Sequence, residues 1–154
     1  MTNAPATLLE PDLLPFGWHE LHADDADQQV IVGPGGVFLF STRRHPAATV
    51  KVFHQGVFVP GRRTDDLRHE QLTAERVSNL LSLTCGFPVE CDPVVLIASG
   101  ELSVQSRPDD VHVLPIDVRD RWLQHMPRRL TDESVERIAH HAQAHTAWRA
   151  AVSN

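Results

Sequence analysis

The chain has few of the residues that would tie it to an oxidising compartment, a membrane or a nucleic-acid coat. Cysteine occurs only as Cys85 and Cys91. Two thiols this close, one beside an expected helix end and one in an expected strand, read as free thiols in a reducing cytoplasm rather than as a disulfide framework. No apolar run approaches the roughly 18 residues that a membrane span needs. The opening MTNAPATLLEPDLLPFGW has no positive charge ahead of its apolar residues, and Pro11 and Pro15 interrupt them. Neither export nor membrane insertion is expected, and the reading is cytoplasmic. Lys51 is the one lysine and the formal net charge is −6, which excludes a general nucleic-acid coat protein, because such proteins bind by counterion release at many Lys and Arg. Internal repeats and low-complexity tracts are also missing.

What is present amounts to one globular domain: 154 residues, 42% hydrophobic and 22% charged, enough to bury a single core without disulfides or metal. Residues 1–12 read as a flexible leader and 13–150 as the domain. The charge is unevenly spread. Residues 1–40 hold six acids and no Lys or Arg, 41–77 hold seven bases against four acids (net +3), and 78–154 hold seven bases against ten acids (net −3). The basic excess is central.

QQVIV and VFLFST are short β-branched and aromatic runs separated by Gly33-Pro34-Gly35-Gly36, the punctuation of a hairpin, since glycine reaches the positive φ of a tight turn. TVKVF and GVFVP are expected as two further strands around His54-Gln55-Gly56, giving a meander of three or four. After Thr64 or Asp65 as N-cap, apolar residues recur at three- and four-residue steps through Leu67, Leu72 or Ala74, Val77, Leu80 and Leu81, and Gly86 ends the helix. PVVLIA and VHVLP read as strands buried on both faces. Ile116 to His125 reads as a short helix. Thr131 caps a clear one with Val135, Ile138 and Ala142 facing inward. The class expected is α/β.

These residues together resemble the nuclease-related domain, a branch of the restriction-endonuclease-like fold. The likeness lies in Val30 to Phe38 at the hairpin, Gly61-Arg62-Arg63, Arg68 to Leu81, Val94 to Ala98, and Leu130 to Trp148, and spans the chain from about Gly17. It implies a mixed sheet, with N-terminal hairpins followed by helix, strand and strand, flanked by helices. In that family an Asp opens the first strand and an acid-x-Lys pair ends the second; two carboxylates hold a Mg²⁺ and the lysine positions the attacking water. Here the three positions fall on Gln28, Ser41 and Arg43. Neutral oxygens supply none of the charge that offsets Mg²⁺ dehydration, and Arg43 stays protonated, so it can hold a phosphate but not act as a base. The expectation is a domain without catalysis or cofactor that binds a DNA or RNA backbone or a protein. The alternative is a Mg²⁺-dependent nuclease that uses Asp27, Glu70 and Lys51 in displaced positions.

Other groups carry two readings each. Arg43, Arg44, Lys51, Arg62, Arg63 and Arg68 form either one phosphate-binding surface or a solvated face balanced by Asp65, Asp66 and Glu70. Glu70 itself either points at the site or is a surface residue beside Arg68 and Gln71. His141 and His145 have the i, i+4 spacing of metal ligands, but no third ligand is evident, and with His140 they read as a polar helix face. His45 and His54 read as surface histidines and Trp122 and Trp148 as packing residues. Ser41-Thr42 with His45 lacks the turn motif and orienting acid of a nucleophile site.

Overall fold

A computed structural model describes residues 14–24, 27–53, 56–59, 62–63, 66–106 and 111–152. Strands β1 (His19–Ala23), β2 (Gln28–Gly33), β3 (Gly36–Phe53), β4 (Gly56–Val59) and β5 (Arg62–Arg63) precede helix α1 (Asp66–Cys85). Strands β6 (Cys91–Val104) and β7 (His112–Pro115) follow, then a 3-10 turn over Ile116–Val118, helices α2 (Arg119–Gln124) and α3 (Asp132–Ala144), and a last 3-10 turn over Ala147–Ala151. The leader and the N-cap candidates Thr64 and Asp65 lie outside the described residues.

The sheet is mixed. β3 and β6 run parallel at its centre, from Val37 opposite Cys91 to Val52 opposite Val104. A parallel pair cannot be closed by a hairpin, and α1 lies in the connection that brings the chain back. β2 pairs antiparallel with the first third of β3, β4 with its last three residues, β1 lies outside β2, and β5 outside β4. β7 adds to the far side of β6 in parallel.

Both faces are covered over the first part of the sheet, which is why Val30 to Val32 of β2 and Val37 to Phe40 of β3 read as unbroken apolar runs. One face carries Val30, Val32, Val37 and Leu39 against Val77 and Leu81 of α1, Val135 and Ile138 of α3, and Trp148. The other carries Ile31, Phe38, Phe40, Val94 and Leu96 against Trp18 and Leu123, with Trp122 edge-on to both phenylalanines. A third cluster joins Val50, Val52 and Val57 to Val95, Ile97 and Leu67, the last near the start of α1.

The Gly-Pro-Gly-Gly turn is a packing device. A Cβ on Gly33 would sit 2.2 Å from the Trp18 ring, and Gly36 has φ +130°. The Pro34 carbonyl accepts from the backbone N–H groups of Arg129 and Leu130, at 2.7 and 3.0 Å, and so fastens the approach to α3. Helix ends follow the expected chemistry: Thr131 accepts from Ser134 N–H at 3.1 Å, and Gly86, at φ +79°, follows α1.

Three expectations need correction. VFLFST and TVKVF belong to one 18-residue strand, β3. Its irregularity lies between His45 opposite Ser99 and Thr49 opposite Glu101, so that three intervening residues of β3 stand against one of β6. Pro46, which has no N–H to give the ladder, falls within that bulge. VHVLP is not buried on both faces: among the described residues β7 pairs with β6 alone, and His112 to Pro115 are exposed or half-buried. On α1, Leu72 and Leu80 are exposed, leaving Leu67, Glu70, Ala74, Val77 and Leu81 as the inward stripe.

Candidate functional site

Beneath α1 the apolar core gives way to a polar cluster. Gln28 opens β2 and stands directly opposite Ser41 on β3, so both side chains leave the sheet on one face. Arg43, two residues further along β3, shares that face. Glu70 comes from above, in the α1 stripe three residues after Leu67 and four before Ala74. Ser41 and Glu70 have no exposed surface and Gln28 retains 8%. Arg43 is the most exposed of the four, with a quarter of its side chain in solvent.

The hydrogen bonds run in one direction. The Gln28 amide donates to Ser41 Oγ at 3.3 Å, Ser41 Oγ donates to Glu70 Oε2, and Arg43 Nη2 donates to Glu70 Oε1. Both carboxylate oxygens are therefore occupied, one of them by a permanent cation. A buried carboxylate requires this, because an unpaired one costs several kcal/mol. Glu70 is thus not the surface residue beside Arg68 and Gln71 that one reading expected; its burial follows from its place in the apolar stripe of α1.

The cluster does not fit Mg²⁺. Its single carboxylate is already bound by Arg43, Gln28 and Ser41 offer neutral oxygens, and a guanidinium in the first ring of neighbours opposes a second cation. Among the described residues, no three His, Cys, Asp or Glu side chains converge as metal ligands.

The displaced set Asp27, Glu70 and Lys51 is spread apart. Asp27, at φ +63°, bonds through its carboxylate to Arg44 at 3.1 Å, and its carbonyl accepts from Thr42 N–H. β3 sends Arg44 to the face opposite Ser41 and Arg43, so the Asp27 and Glu70 carboxylates lie on different faces. The Arg44 guanidinium holds the Asp27 carboxyl below the usual carboxylate range. Lys51 is exposed ten residues along β3 from Ser41. Arg68 is exposed on α1, while the side chains of Arg62, Arg63 and His45, and all of His54, lie outside the described residues.

A feature the sequence did not announce is a cleft of about 690 Å³ on the Arg44 face, lined by Phe40, Thr42, Leu96, Arg44, Asp27 and Arg119 among others. Arg119 reaches Gln29 Oε1 at 3.4 Å across this cleft and pairs with Asp120. The signal was nonlocal, since 90 residues separate Arg119 from Gln29. Elsewhere His145 is the exposed C-cap of α3 and His141 is half-buried. Trp148 is core, its indole N–H donating to the Ala142 carbonyl. Cys85 and Cys91 are buried free thiols. No helix among the described residues is long and apolar enough to cross a membrane.

Compared with protein-family models, curated proteins and solved structures, the chain matches none.

Proposed function

We propose that the chain is a non-catalytic domain of restriction-endonuclease-like architecture, similar to the nuclease-related domain, that binds a nucleic-acid backbone. The supporting observation is the convergence of Gln28, Ser41, Arg43 and Glu70 on one buried spot. The resemblance sets the first three at the catalytic positions, and Glu70 on the helix that faces them. In this chain their charges close on themselves: Ser41 and Arg43 occupy both oxygens of Glu70. A self-neutralised cluster with one solvent-facing guanidinium is a structural plug, and it leaves no carboxylate for a metal or an attacking water.

Binding is assigned to the central basic segment, residues 41–77, with its excess of three positive charges. Arg43 and Arg44 contribute least, because Glu70 and Asp27 already compensate them. Lys51, Arg62 and Arg63 remain as the phosphate contacts. The test pairs two assays on the whole chain. Incubation with single- and double-stranded DNA and RNA in Mg²⁺ or Mn²⁺ is expected to give no cleavage, and affinity for the same substrates is expected to fall steeply with salt. Cleavage that disappears in Glu70→Gln would overturn the non-catalytic reading, and absence of binding at low salt would overturn the binding role.

A further inference from the structure

Helix α1 carries a second apolar stripe, on the side away from the sheet. Leu72, Arg76, Asn79 and Leu83 follow one another at steps of four, three and four, so at 3.6 residues per turn they fall within an arc of about 60°. Leu80 flanks that line on one side and Glu75 on the other. All six residues are exposed. Leu83 keeps 79% of its surface in water, Leu72 45% and Leu80 36%.

Beside Leu83 an open groove of about 640 Å³ runs past the end of the helix, lined by Asn79, Ser82, Leu83, Gly86, Phe87 and Pro88. From Val77 to Val89 the chain has no charged residue, and charge is depleted in the same way at the core of protein interfaces. A single exposed leucine is ordinary, but three on one helix face beside an apolar groove make a patch.

The pattern is self-complementary. A twofold axis midway between Val77 and Ser78, perpendicular to the helix, exchanges Leu72 with Leu83 and Arg76 with Asn79. Leu72 of each copy then meets Leu83 and the groove of the other, and the two Leu80 side chains meet on one flank. Near the axis Arg76 faces Asn79 of the other copy, with Glu75 of that copy one turn, about 5.4 Å, further along. Opposite charges thus come within side-chain reach, and the symmetry makes the contact twice. A parallel arrangement would instead set Arg76 against Arg76.

We propose that this face of α1 joins two copies of the chain into an antiparallel, isologous dimer. Each copy has a formal net charge of −6, so two copies repel except where the meeting surfaces are uncharged or matched. The α1 stripe is both: leucine lies against leucine at its ends, and Glu75 is matched by Arg76 across the axis. The contact does not depend on the nucleic-acid reading.

Sedimentation velocity of the whole chain from about 1 to 500 µM spans the dissociation constants of a contact this size and is expected to show a monomer giving way to a dimer. Leu83→Glu changes a side chain that already lies in water. It is expected to weaken the dimer at least about 100-fold, because two leucine contacts are lost per dimer, and to leave the Tm at the dilute end unchanged. Arg76→Glu should weaken it roughly 2- to 30-fold, the range for two exposed ion pairs. Adding Glu75→Arg to that variant rebuilds the pair in reverse and should restore the parental affinity. A parent that stays monomeric throughout, or a dimer that Leu83→Glu leaves intact, would overturn the proposal. If Arg76→Glu associates as the parent does, or the charge-reversed pair fails to recover, the antiparallel register falls. A lower Tm for Leu83→Glu at the dilute end would mean that a segment of the same chain, such as residues 1–13, covers the stripe in place of a second copy.

Discussion

Replacing Arg43 by methionine isolates the energetics of the buried cluster. The substitution keeps an unbranched side chain and leaves Glu70, fully buried, with the Ser41 hydroxyl as its remaining partner in the cluster. Breaking a buried ion pair from one side costs about 3–5 kcal/mol, whereas an exposed pair is worth about 0–1. A quarter of the Arg43 side chain is exposed, so water can approach from that side, and the lower end, about 3 kcal/mol, is expected. For a chain of this length that corresponds to a Tm lowered by roughly 6–12 °C. Glu70→Gln keeps an acceptor and lets Arg43 turn toward solvent, so its cost should be smaller, about 1–2 kcal/mol. The double variant Arg43→Met with Glu70→Leu removes both charges and should return to within about 1 kcal/mol of the parent. Urea unfolding followed by tryptophan fluorescence of the parent, Arg43→Met, Glu70→Leu and the double variant closes the cycle that yields the coupling energy. A loss below about 1 kcal/mol for Arg43→Met, with additive single effects, would refute the reasoning, because the pair would then behave as a surface one.

Three further outcomes follow from the packing. Gly33→Ala drives a methyl into the Trp18 ring, 2.2 Å away, and should destabilise by about 1–3 kcal/mol in the same urea assay, as overpacking does. Ser78→Ala strips the Cys91 N–H of the hydroxyl that accepts from it at 2.8 Å and should cost about 1–3 kcal/mol for the orphaned donor. Burial pushes the Cys91 thiol far above its usual range and raises Cys85 as well. Only the thiolate reacts, so disulfide-reagent labelling of the native chain near neutral pH should be slow and should track unfolding; fast labelling without denaturant would contradict the buried assignment.

The legible parts of the fold were those written in local patterns. Thr131 with Ser134, Gly86 after Cys85, and the Gly33–Gly36 turn are each set by residues within a few positions of one another, so spacing alone places them. β3 reads as two strands in the sequence because Pro46 followed by Ala47-Ala48 interrupts the β-branched and aromatic runs, whereas here Pro46 marks a bulge that the parallel partner β6 tolerates. The candidate site was half legible. Apolar periodicity on α1 already included Glu70, but its charge pulled the reading toward solvent. The residues that permit its burial, Ser41 and Arg43, lie 29 and 27 positions away. Pairing across such separations follows from the crossover that sets α1 over β3, not from any run of sequence.

The buried cluster also allows the resemblance itself to be tested by reversal. If Gln28, Ser41 and Arg43 occupy the family's Asp and acid-x-Lys positions, then Gln28→Asp, Ser41→Asp and Arg43→Lys together bring three carboxylates, with Glu70, around one point beneath α1. Without metal that variant should be strongly destabilised, since like charges are buried against a single lysine. A divalent cation bound only by the folded state then restores stability by mass action, by about 2.7 kcal/mol at one hundred times its dissociation constant, a rise in Tm of roughly 5–11 °C. The parent chain, with its one carboxylate already matched by Arg43, should show no such response to Mg²⁺ or Mn²⁺. Thermal unfolding of both proteins across a Mn²⁺ series, with Ca²⁺ for comparison, reads the difference without requiring catalysis. Metal-dependent recovery of the triple variant alone would show that this cluster has the geometry of the metal position that the resemblance implies. A variant that folds poorly and gains nothing from any divalent ion would mean that the Gln28, Ser41 and Glu70 side chains do not aim at a common point, and the nuclease resemblance would lose its structural basis.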